Sequence, residues 1–342
     1  MRHFFSITFL SGLLVSLGVC SCNFAPKDRK AKIAGDTSSY LLLEKFIPLP
    51  HVKDGFDLMA IDIQSQRLFV SAEDNHSVEI INLKSGKPIT SLPGFNEPKW
   101  IFYLPENNWV YVSTGGDGKV TELDGNTYKV LNTFSFKEAC NNLRFDSVTN
   151  QLYVGVGKTF GSLGIIDVKK DRIVGEIPLS GYAKQFEIDG DRVYINLPQK
   201  NVVEVVSIPD AKIIADWPVI EAKENVPMAL DRNNHRLFIA CEPGKFIIYS
   251  TQTGKAIQSF DIAKNADGIY YDAKRSRILV SCGEGNIEII QQTDADHYQL
   301  LHSVTTAKGA GTSLFSGQLD KYILAVPQSN ENAEIRVYKP VN

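Results

Sequence analysis

The 342-residue chain has no surplus of positive charge: 36 Lys and Arg face 39 Asp and Glu, for a net charge of −3. Nucleic-acid binding draws on cations that displace counterions from phosphates, so this balance argues against a nucleic-acid partner. Cysteine is scarce, at 20, 22, 140, 241 and 282, and forms no CxxC, CxxCH or Cys/His zinc spacing. The six histidines are scattered, with no pair at i, i+2 or i, i+4. No segment sustains a 3.6-residue apolar period, which excludes a helical bundle or helical repeat. Catalytic motifs are missing as well. No G-x-S-x-G occurs. Gly157-Lys158-Thr159 ends like a phosphate loop, but Leu152 stands where its first glycine belongs and no helix is expected to follow. Gly155, Gly157 and Gly161 miss the spacing of a dinucleotide fingerprint.

No apolar run is long enough to span a bilayer comfortably. The stretch 4–19, after Arg2 and His3, has the length of a signal-peptide core. It leads to Leu17-Gly18-Val19-Cys20-Ser21-Cys22. Small Ser21 stands directly before Cys22, with Val19 at −3, whereas Cys20 would be preceded by bulky Val19. Residues 1–21 are therefore expected to be a lipoprotein signal peptide and Cys22 the lipidated residue. Residues 22–39 are small and polar and read as a flexible tether. These features imply an exported protein, held to the membrane of a bacterial cell envelope by a lipid anchor. An outer-membrane or periplasmic station is favoured, because Asn23 replaces the Asp that marks inner-membrane retention.

What the chain has in abundance is repetition. An apolar strand, often ending in Asp, is followed by a turn and a strand of the type Arg67-Leu68-Phe69-Val70-Ser71. A third strand, a Gly- or Asp-containing turn and a fourth strand complete the unit. The centre of the second strand falls at Phe69, Tyr111, Tyr153, Tyr194, Phe238, Leu279 and Ile323, at spacings of 42, 42, 41, 44, 41 and 44. Seven four-strand units of this length predict an all-β, seven-bladed β-propeller over residues 40–342. The seventh unit stops after its third strand, Glu334–Tyr338. The segment Tyr40–Leu49 is a strand with no unit of its own. It is expected to complete the last blade and close the ring.

The strands Leu68-Phe69-Val70-Ser71, Val110-Tyr111-Val112-Ser113 and Leu152-Tyr153-Val154-Gly155 resemble the YVTN-type propeller repeat. So do residues 78–87 and Ala333–Tyr338. The resemblance covers about residues 40–342 and implies a secreted or surface-associated bacterial propeller; it is specific for fold and weak for function. The name-giving Asn is replaced by Ala72, Thr114, Val156, Leu197, Cys241, Cys282 and Val326, so no role of that Asn carries over. Cys241 and Cys282 thereby occupy a packing position.

In a propeller the first strand of each blade lines the central channel, and the loops leading into it ring one mouth. The repeat places Asp57, Lys99, Asn141, Lys184 and Asp267 at one such position, with Trp100, Asn142 and Gln185 one residue on and Asn225 further out. Amides offer donors and acceptors and Trp a stacking face, so this set is the candidate ligand-binding site. The recurring Asp62, Asp146, Asp189, Asp231 and Asp272 read as turn formers. Arg144 and Glu187, at otherwise apolar first-strand positions, are expected to pair between blades. The functional expectation is a binding or scaffolding module for an envelope protein, peptide or glycan, with no cofactor. The alternative is a metal-assisted hydrolase or lactonase using Ca²⁺ on Asp57, Asp267, Asn141 and Asn225.

Overall fold

The computed structural model describes Met1 and residues 39–53, 55–329 and 332–342. Apart from Met1, the signal peptide lies outside these, as do Cys22 and all but the last residue of the tether. The described residues form seven four-stranded antiparallel sheets. Blades 1 to 6 run consecutively: 59–93, 98–135, 140–179, 186–218, 228–261 and 266–305. Blade 7 joins Ser313–Ser316, Lys321–Val326 and Ala333–Pro340 to the N-terminal strand Leu41–Leu49, which pairs antiparallel with Ala333–Pro340. The expected closure is thus observed.

Burial explains why the second strands are nearly continuous apolar runs. Apart from its first residue, Arg67–Ala72 is buried throughout, and Trp109–Thr114 and Arg236–Cys241 repeat the pattern. Each blade packs another blade on both faces, so alternation is lost. The core is divided accordingly into seven apolar clusters, one at each seam between neighbouring blades.

The turns are equally regular. Asp62, Asp146, Asp231 and Asp272 each accept a backbone N–H two or three residues on, at 2.9–3.3 Å. Gln66, Asn108, Asn150, His235, Ser276 and Asp320, just before the second strand, adopt φ between 50° and 57°. The carbonyls of Gln66, Asn108, Asn150, His235 and Ser276 accept N–H groups from the turn between strands three and four, which locks those two turns on one face. On the other face, the loop into the next blade bonds to the turn between strands two and three, as Gly94 N does to His76 O at 3.0 Å. This second face carries the candidate mouth.

Every fourth strand has a register shift at the same point. In blades 1 to 6 the extra residue is Ile89, Leu131, Val174, Ile214, Ile257 and Leu301, and in blade 7 it is Glu44. Fourth strands are the outer edges of the ring, and a bulge there bends the edge away from further pairing.

Candidate functional site

At the mouth, Asp57 of blade 1, Lys99 of blade 2, Lys184 of blade 4 and Asp267 of blade 6 act on one another electrostatically. Lys99 Nζ pairs with Glu73 on the turn between the second and third strands of blade 1, and lies 4.0 Å from Asp57 Oδ2. Burial, then the Asp267 and Glu73 carboxylates, push the Asp57 carboxyl well above the usual range, against Lys99 and Lys184. Burial also raises Asp267, although Thr312 Oγ1 donates to its Oδ2 at 3.0 Å. Burial in the throat therefore disfavours the charged form of both carboxyls.

Gln185 bridges neighbouring blades. Its Nε2 donates to Asp267 O at 2.9 Å, and its Oε1 accepts from Met228 N at 3.2 Å, so one amide links blades 4, 5 and 6. With both amide atoms bonded to the scaffold and only 4% of the residue exposed, Gln185 belongs to the wall beneath the mouth.

Beside the throat a groove of about 260 Å³ runs between blades 2, 3 and 4. Lys99, Asn141, Lys158, Tyr182 and Lys184 line it, with Glu97 its one carboxylate. Lys158 and Lys184 have no ion-pair partner within 4.0 Å among the described residues. Gly115 makes the path of Lys99 possible, since a Cβ there would come within 2.7 Å of Lys99 Cε. The loop carrying Lys158 is held by Glu138, whose carboxylate accepts the backbone N–H groups of Lys158, Thr159 and Phe160 at 2.5, 2.8 and 3.2 Å. These bonds keep the Glu138 carboxyl below its ordinary pKa.

The structure brings Asp57, Lys99, Asn141, Lys184 and Asp267 to the mouth and corrects the placement of three others. Trp100 offers no free stacking face on the side where the Arg144 guanidinium lies, 4.2 Å from its ring centroid. Asn142 is only 2% exposed. Asn225 is fully buried, its Nδ2 donating to Asn196 Oδ1 at 2.7 Å and Val202 O at 2.9 Å. Asn196 in turn donates to Val226 O and Pro227 O, so this pair clasps the seam between blades 4 and 5. Ser113 and Ser281 clasp two other seams, bonding Asn141 O and Gly311 O. Sequence spacing missed Lys158, Tyr182, Glu73 and Glu138. Lys158 and Glu73 lie on turns between second and third strands, a position that the repeat marks as facing the mouth.

Asn225 is held at the seam through its Nδ2, while its Oδ1 is buried with no hydrogen-bond partner among the described residues. No group of three or more His, Cys, Asp or Glu side chains converges among the described residues. Cys140, Cys241 and Cys282 are free and buried, and burial pushes the Cys241 thiol up to about 12. They are inert packing residues. A second cleft, at the opposite end of the channel, is lined by Arg144, Glu187 and Arg232, whose charges are paired with one another.

No family model matches this sequence, and no curated protein does. Solved structures match in fold. A chain of the Mitotic Checkpoint Complex superposes with a TM-score of 0.74 at 15% identity, covering 97% of this chain and 99% of that one. The WD40 repeats of RRP9 give 0.76 at 10% identity, over 90% and 99%. Hydrazine synthase of Kuenenia stuttgartiensis gives 0.71 at 15% identity, over 83% and 97%. At such identities the likeness establishes the seven-bladed propeller fold.

Proposed function

We propose that the protein is a YVTN-type propeller lipoprotein of the cell envelope that binds or scaffolds a macromolecular partner at its channel mouth. The observation that carries this reading is the groove beside the throat, where Lys158 and Lys184 have no ion-pair partner within 4.0 Å among the described residues. The strand Leu41–Leu49 starts on the opposite face, where Val341 N bonds Tyr40 O at 2.8 Å. Fold alone does not choose the activity, since its neighbours range from a checkpoint complex to hydrazine synthase.

Thermal melting with divalent metals, sugars and envelope extracts tests the reading, because a ligand of the folded state raises the melting point. A rise with extract that Lys184→Ala abolishes supports it. A rise with Ca²⁺ alone, lost in Asp267→Ala, would instead favour the metal-assisted hydrolase.

A further inference from the structure

In six blades a single backbone bond ties the turn between strands three and four to the residue just before strand two. Leu83 N donates to Gln66 O, Gly125 N to Asn108 O, Val168 N to Asn150 O, Ile208 N to Asp191 O, Thr251 N to His235 O and Gln292 N to Ser276 O, at 2.8–3.1 Å. The register fixes where the donor stands. Arg67 opens strand two of blade 1 and pairs with Asn82, and Leu83 is the next residue. In blade 7 Tyr322 pairs with Tyr338, so Lys321 stands opposite Lys339 and the donor position falls on Pro340. Proline has no N–H, so the bond to Asp320 O cannot form. No turn ties these strands either, since Ala333–Pro340 pairs with Leu41–Leu49, a distant stretch of the sequence.

Two arginines of blade 6 occupy the place of the missing bond. Arg275 donates through Nη1 and Nη2 to the two carboxylate oxygens of Asp320, at 2.7 and 2.8 Å, and through Nη2 to Pro340 O at 3.0 Å. It thereby joins the same two residues that the backbone bond joins elsewhere. Its side chain is only 5% exposed, and Asp272 Oδ2 holds it from behind at 2.7 Å. Arg277 Nη1 donates to Val341 O, and its guanidinium lies 5.0 Å from the ring centroid of Tyr40. Val341 and Tyr40 are themselves bonded, so Arg277 grips both flanks of the strand pair. Arg67 and Arg236, at the same repeat position as Arg277, reach Gly125 O and Ala295 O of the next blade, but there they meet a continuous turn that already carries its backbone bond.

We propose that Arg275 is a latch that closes blade 7 in place of the backbone bond Pro340 forbids, with Arg277 holding the adjoining segments, so that the ring opens at this blade before any other. Opening here frees Leu41–Leu49 from Ala333–Pro340 while the six backbone-locked blades stay folded, a local event below global unfolding.

Native-state hydrogen exchange read by mass spectrometry on the purified protein is the test. Arg275→Gln is expected to speed exchange at least about tenfold in residues 41–49 and 333–340 and to leave blades 1 to 5 unchanged. Losing the arginine also leaves Asp272 and Asp320 without their cation, which would loosen the region even if Arg275 were no latch. Pro340→Ala separates the two cases, because it restores an N–H facing Asp320 O and leaves both carboxylates alone. In the double variant Arg275→Gln, Pro340→Ala, exchange in the two strands should return to within about threefold of the wild type. Arg236→Gln removes a clasp at a turn whose backbone bond remains, and should change exchange in blade 6 by less than about threefold. Pro340→Ala alone, which keeps every arginine, should slow exchange in the two strands, so the proposal stays testable if Arg275→Gln does not fold. Faster exchange spread over all blades in Arg275→Gln, no recovery on adding Pro340→Ala, an equal rise in blade 6 from Arg236→Gln, or unchanged or faster exchange in Pro340→Ala would overturn it.

Discussion

Arg144 Nη2 lies 2.9 Å from Glu187 Oε1 across the seam between blades 3 and 4, with both side chains about one-fifth exposed. The guanidinium is sandwiched against Trp100, and Glu187 Oε2 also meets Arg232 at 3.6 Å. Removing Arg144 leaves the largely buried Glu187 with only its looser contact to Arg232, which costs more than removing both partners. Arg144→Met is expected to destabilise by about 2 kcal/mol, and Arg144→Met with Glu187→Leu by less. Urea denaturation of the two variants measures the difference. A double variant as unstable as the single one would show that the pair is not what holds these positions.

Ring closure rests on Leu41–Leu49, where Ile47 is fully buried in the seam between blades 7 and 1 and Leu42 is exposed. Ile47→Ala should cost about 3 kcal/mol, by lost transfer and the cavity left behind. Leu42→Ala should stay within about 0.5 kcal/mol. Chemical denaturation checks both. Near-equal effects would mean that the N-terminal strand does not carry the closure.

Two carboxylate environments give opposite pH dependences. Asp320 accepts both edges of Arg275, at 2.7 and 2.8 Å, and these bonds hold its pKa down to about 2. A carboxyl lowered by folding stabilises above its unfolded value of about 4 and loses that stability as pH falls toward about 2. Arg275→Gln should flatten the acid limb of the stability profile between those limits.

Asp57 and Asp267 run the other way. Their folded pKa values are raised, so their contribution is present below about pH 4 and is lost as pH rises through the raised value. Asp267→Asn should therefore raise the melting point at neutral pH and weaken the gain on acidification. A lower melting point at neutral pH would show that the Lys184 and Thr312 contacts outweigh the burial of this charge.

The seven seams were legible because Phe69, Tyr111, Tyr153 and their equivalents obey one spacing, and packing between blades demands that the spacing persist. Asp62 and its repeats were legible because a short carboxylate has few ways to satisfy a turn. Lys99, Asn141 and Lys184 followed from the same register. Trp100 and Asn142 did not: the first strands of blades 2 and 3 shift register between Pro98 and Trp100 and between Cys140 and Leu143. A bulge redirects side chains locally, so counting residues no longer tells which way they point.

The most direct test of the mouth as the binding face is photo-crosslinking in intact cells, with a photoreactive residue placed at Asn141 in the groove or at Val148, which is exposed on the opposite face. The account predicts a discrete adduct from position 141 that Lys158→Glu with Lys184→Glu abolishes, and none from position 148. Adducts from 148 alone, or from both positions regardless of the lysines, would contradict it.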